Sequence, residues 1–193
     1  MKKTRFFIFA FLLLPALLYA AGIGISGSYS SISEDSHNNY KHYGSGGVGF
    51  VFDTNLGEDR TFNYRLGFEY MRTNLDDLAG KESYDYVKRI NVVNTFGFGF
   101  YRSRTVRLWA APRILVSEYT YKDKESKDEA YYYFSNRGID VGAGPALGIN
   151  ISLDGHFTFS LDADYIAIFA SDRRITTIRA YFIFCFDEIA PMR

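Results

Sequence analysis

From Thr61 to Met71 the chain reads TFNYRLGFEYM, with Phe62, Tyr64, Leu66, Phe68 and Tyr70 on one parity. Asn63, Arg65, Gly67, Glu69 and Met71 fall on the other. Successive side chains of a strand point to opposite faces, so the stretch has one apolar and one polar face. The apolar face carries large aromatics along its whole length, and the polar face carries both signs of charge. A strand crossing a membrane, with lipid on one side and a lumen on the other, has this pattern and needs about 9–11 residues.

The same alternation predicts strands over 22–30, 44–53, 61–71, 87–101, 106–121, 137–151, 157–169 and 175–186. The segments 31–43, 72–86 and 122–136 are polar and without period. The segments 54–60, 102–105 and 152–156 are short, the last with the hairpin dipeptide Asp154-Gly155, and 170–174 is a five-residue connection. Long and short connections alternate. Eight strands and that alternation predict an all-β, eight-stranded antiparallel up-and-down transmembrane β-barrel with both ends of the chain on the inner side. Tyr40, Tyr43, Tyr70, Tyr84, Tyr86, Tyr119, Tyr121 and the run 131–134 gather near the expected outer strand ends. Phe50, Phe52, Phe62, Phe100, Tyr101, Phe157, Phe184 and Phe186 gather near the inner ones, as two aromatic girdles require. Asn94 alone breaks the apolar parity of its strand. Pro112 and Pro145 cannot donate to a ladder, and a local bulge or kink is expected at each.

The first residues have a different logic. Lys2, Lys3 and Arg5 precede an apolar core from Phe6 to Leu18 and small residues at Ala20 and Ala21. That is a secretory signal peptide over 1–20, leaving 21–193 as one barrel domain. Without the leader, 19 basic residues face 22 acidic ones, a balance unsuited to nucleic acid, which asks for a basic patch. No later run is apolar enough for a membrane helix. Cys185, the only cysteine, permits no internal disulfide.

Inward parity collects Arg65, Arg107, Arg113 and Arg179 against Glu69, Asp140, Asp162 and Asp164. An eight-stranded barrel is just wide enough inside for side chains, and buried charges must be paired. The expectation is a lumen filled by ion pairs, with Arg179 meeting Asp162 or Asp164. The alternative is that these charges line a narrow channel, with inward glycines at 24, 49, 67, 97, 99, 142, 144 and 148 leaving space. Catalysis is not supported: His156 and Ser160 lie roughly 13 Å apart along a strand. No cofactor or metal is expected, and His37 and His42 read as solvated loop residues. A lipocalin-like soluble barrel is a third arrangement, with the apolar face inward.

The runs VRLWAAPRI (Val106 to Ile114) and VGAGPALGINISL (Val141 to Leu153) resemble middle strands of the small outer-membrane β-barrel family, of OmpA/OmpX-like and porin-like type. The resemblance implies a Gram-negative cell outer membrane location and a non-enzymatic role in envelope structure, adhesion or small-solute passage. The implied partners are outer-membrane lipid, the barrel assembly machinery and surface ligands held by the outer loops. It also implies an assembly signal on the last strand, carried here by Phe182, Phe184 and Phe186, although seven residues follow Phe186 where the family usually ends.

Overall fold

A computed structural model describes residues 22–36, 39–56, 61–74, 84–103, 105–123, 137–153 and 156–186. Eight strands follow in order: β1 (Gly22–Ser36), β2 (Asn39–Leu56), β3 (Phe62–Asn74), β4 (Tyr84–Arg102), β5 (Val106–Asp123), β6 (Arg137–Ser152), β7 (Phe157–Ile168) and β8 (Arg173–Cys185). Each pairs antiparallel with the next, and β8 returns to β1 over Gly22↔Cys185 to Glu34↔Arg173, closing the barrel. Closure leaves no strand edge, so the ladders satisfy backbone groups without water.

Alternation sets the two faces. On β7, Thr158, Ser160, Asp162 and Asp164 are buried in the lumen, while Phe159, Leu161 and Tyr165 are exposed on the wall. The exterior is apolar, with Val48, Phe50, Phe100 and Leu147 each more than 60 % exposed. So continuous an apolar surface marks a membrane-facing wall. This arrangement is the reverse of the lipocalin-like alternative.

Several strands run past their predicted limits. β1 continues to Ser36 and β2 begins at Asn39, so most of the segment read as an aperiodic loop over 31–43 is paired strand. β3 reaches Asn74, β4 starts at Tyr84 and β8 starts at Arg173. The predicted alternation of long and short connections therefore fails at this corner, where two residues join β1 to β2. An 18-residue strand such as β2 is roughly 60 Å long, beyond what a hydrocarbon core of about 30 Å needs even when tilted. The connections 37–38, 75–83, 124–136 and 169–172 share one end of the barrel, here called distal. The other end, proximal, holds Gly22 and Cys185. The leader at 1–20, the run 131–134, Asp154-Gly155 and 187–193 lie outside the described residues.

The prolines do not bulge their strands. Pro112 and Pro145 face each other in an unbroken β5–β6 register. The ladder lapses instead on their far sides: β4–β5 lacks the rungs between Thr95↔Arg113 and Phe98↔Ala110, and β6–β7 lacks those between Ala143↔Ala167 and Ala146↔Asp164. Each proline turns its missing donor away from the other, so one seam stays whole. The register shifts in β4–β5 fall at Tyr84/Tyr86 and Gly99/Tyr101.

Asn94 has a local answer on the wall. Leu66, Val92, Phe52, Tyr64, Phe68 and Val116 form an outer cluster around its neighbours. Tyr64 donates its hydroxyl to Asn94 Oδ1 at 2.6 Å, and Asn94 is buried. A ring folded over the amide shields it from lipid.

Candidate functional site

The lumen is the only place where the strand faces bring many charged groups together among the described residues, and it is divided along its axis. On the proximal side a chain of alternating charges crosses it. Arg65 on β3 donates through Nε to Asp53 Oδ2 at 2.7 Å and reaches Asp162 on β7 at 3.7 Å. Arg113 on β5 grips Asp162 with two donors, Nη1 to Oδ1 at 2.9 Å and Nη2 to Oδ2 at 2.8 Å. Its Nη1 also donates to Asp164 Oδ2 at 2.7 Å, and its Nε to Thr95 Oγ1 at 2.8 Å. Arg179 on β8 donates to Asp164 and, through Nε at 2.5 Å, to Glu69 Oε1 on β3. The order Asp53, Arg65, Asp162, Arg113, Asp164, Arg179, Glu69 ties five strands together. Planar guanidinium forks suit carboxylates in this way.

Aromatic groups close the gaps in this tier. The Arg65 guanidinium lies over the Tyr181 ring at 4.6 Å and the Trp109 ring at 5.6 Å. Trp109 donates Nε1 to Asn150 Oδ1 at 2.9 Å. Its indole lies against Gly148, the cross-strand partner, where a Cβ would collide with the ring. That glycine makes room for tryptophan rather than for a channel. At Gly144, too, a Cβ would strike the Tyr165 carbonyl oxygen. Proximal to these, Val51, Tyr181 and Ile183 pack together beside Cys185.

The next tier is apolar. Ile32, Val93, Leu115, Ile166, Ile168 and Ile175 form one buried cluster, with Tyr43 packed against it. On β5 Leu115 follows Arg113, on β7 Ile166 and Ile168 follow Asp164, and on β8 Ile175 lies four residues distal to Arg179. The cluster therefore lies across the lumen immediately distal to the charge chain. Hydrophobic constrictions in channels gate by dewetting.

A second, smaller charged tier lies distal to it. Asp140 Oδ2 accepts from Arg89 Nη1 at 3.1 Å and from Arg173 Nη1 at 2.9 Å. Both guanidinium groups lie over the Tyr119 ring, at 5.5 and 5.2 Å. Arg89 is 1 % exposed, and its Nε and Nη2 have no hydrogen-bond partner. The hydroxyls of Ser45, Thr73 and Ser117 are buried and equally unpartnered.

All eight charged residues singled out in the sequence lie on inward faces, but they do not form one network. Arg65, Glu69, Arg113, Asp162, Asp164 and Arg179 meet in the proximal chain. Arg179 pairs with Asp164; Asp162, its register partner, turns to Arg113 and Arg65. Arg107 is held apart, donating to Asn63 Oδ1 at 2.9 Å and to the Gly97 carbonyl at 3.2 Å. Asp140 belongs to the distal tier. Sequence reasoning missed Asp53, Arg89 and Arg173. Asp53 and Arg89 sit on the inward parity within the predicted strands, a signal that was available; Arg173 lies just before the predicted start of its strand. Tyr43, Tyr119 and Tyr121, expected in the outer girdle, occupy inward positions instead. On the wall Phe182, Phe184 and Phe186 are exposed, Phe157 stacks against Phe182 at 5.3 Å, and Phe184 meets Phe186 at 6.1 Å.

Closed strand order, inward charge and an apolar wall define the fold class of small eight-stranded outer-membrane barrels. The Neisserial surface protein A is similar at a TM-score of 0.54 and 12% identity, over 85% of this chain and 97% of that one. Ail, the attachment invasion locus protein of Yersinia pestis, solved with the heparin analogue sucrose octasulfate, is similar at 0.52 and 12% identity, over 86% and 98%. No family model matches the chain, and no curated protein matches it by sequence.

Proposed function

We propose that the chain is a non-enzymatic outer-membrane barrel with a shut lumen, exported by the leader at 1–20, whose distal end faces outward and makes the protein's contacts. The observation that carries this reading is the pair of stacked seals: a chain of alternating buried charges and, immediately distal to it, a cluster of Ile, Leu and Val side chains. Passage of an ion would require opening both, and at the second the path meets six packed apolar side chains. The eight inward charged residues then serve the barrel's stability, and the distal surface, like that of Ail with its heparin analogue, is where a ligand meets the protein. Phe182, Phe184 and Phe186 on the last strand are the surface offered to the assembly machinery, and lipid covers the rest of the wall.

Side-selective labelling tests the orientation. Ala170 lies exposed in the distal β7–β8 connection, and Cys185 lies at the proximal mouth. A bulky membrane-impermeant maleimide should label Ala170→Cys, in a Cys185→Ser background, on intact cells. Native Cys185 should react only after the outer membrane is permeabilised. The opposite order would overturn the reading.

A further inference from the structure

We infer that the distal tier of the lumen is a binding site for a small oxyanion, seated on the free edge of Arg89. A guanidinium grips carboxylate, phosphate or sulfate through two parallel N–H donors, and the Nε–Nη2 edge is one such fork. In Arg89 this edge is buried and unpartnered, while Nη1 alone is spent on Asp140. Leaving a buried donor unmet is costly, more so on a charged group.

The neighbours are of the right kind. Register places Met71 and Tyr119 directly opposite Arg89, so Thr73 on β3 and Ser117 on β5 are its same-face diagonal neighbours. Diagonal positions are about 7–8 Å apart, a gap that an oxyanion and its hydrogen bonds can bridge. Thr73 Oγ1 and Ser117 Oγ both lack a partner, and both side chains are fully buried. Three orphaned donors from adjacent strands thus face the same tier of the lumen. In the proximal tier, by contrast, arginine forks are closed on carboxylates. Asp140 fixes the Arg89 side chain from behind, and Tyr119 supports its plane.

The tier lies distal to the apolar ring, so a ligand reaches it without crossing the seal. The inference rests on the reading above that the distal end faces outward, and it supplies that end with a ligand class. The same chemistry fits a free inorganic ion or the sulfate, phosphate or carboxylate of a larger surface molecule.

The test uses the full mature chain refolded in micelles and titrated with sodium sulfate against sodium chloride at constant ionic strength. The readout is the 15N resonance of the arginine Nε–H groups. One Nε–H signal, lost in Arg89→Lys, should shift with a saturable, single-site curve. Arg89→Lys keeps a cation for Asp140 but has no fork, and should abolish the curve while preserving spectral dispersion. Arg174→Lys, on the exposed wall, should leave it unchanged. Thr73→Val and Ser117→Ala should each weaken binding up to about tenfold, the span of one hydrogen bond. A sulfated disaccharide binding at least tenfold more tightly than sulfate would assign the site to a group on a larger molecule; equal affinity would assign it to the free ion. A linear response, or the same curve in Arg89→Lys, would overturn the site and mean that water alone fills the tier. A shut lumen would survive that failure, because conductance reports on the seal and not on the anion.

Discussion

The two charged tiers of the lumen use the same residue types and reach opposite states. In the proximal tier three arginines alternate with four carboxylates, and Arg113 touches two of them. In the distal tier two arginines converge on one oxygen of Asp140, and two of the three guanidinium nitrogens of Arg89 have no partner. Between them lies a cluster of six buried apolar side chains. The difference separates two uses of buried charge. A closed network stabilises the barrel, provided that every member stays paired. An open fork held in place by its neighbours is prepared for something that is not part of the chain.

The contrast can be broken most directly at Arg113. Arg113→Ala strands Asp162 and Asp164, and should destabilise the refolded barrel by about 3–5 kcal/mol, as removal of one partner from a buried pair does. Urea unfolding in micelles measures it. A cost below about 1 kcal/mol would mean that the chain is not the barrel's brace. Ile166→Ala, in the apolar ring, should cost about 2–4 kcal/mol, the range for a buried isoleucine that leaves a cavity. Arg89→Ala should cost least, about 1 kcal/mol, because Asp140 retains Arg173 and the lost fork was unsatisfied. A larger loss at Arg89 than at Arg113 would invert the comparison.

The facing of each strand was readable because a period of two admits only two assignments, and the aromatic runs around Phe62 and Phe98 decide between them. The partners across the lumen were not. Arg179 and Asp162 are register neighbours, yet the guanidinium of Arg113, arriving from β5, takes Asp162 instead. That choice depends on strand stagger and side-chain reach, neither of which is encoded in spacing along one strand. The apolar ring left a signal that periodicity passes over. From Tyr165 to Phe169 both parities of β7 are apolar, so the polar face stops at Asp164. A run that is apolar on both faces, in a strand of otherwise strict alternation, marks where a lumen ceases to be wet. The extension of β1 and β2 was hidden by composition: Ser, Glu, Asp and Asn have low strand propensity, and here pairing between the two strands of one hairpin overrides it.

Single-channel recording in planar bilayers tests the central claim most directly. Mature protein shown by protease protection to be inserted should give no discrete openings in 1 M salt across a range of voltages, because the charge chain and the apolar ring both close the path. Reproducible unitary steps from the unmodified chain would contradict it, and would make the lumen a conduit rather than a brace beneath an outward-facing site.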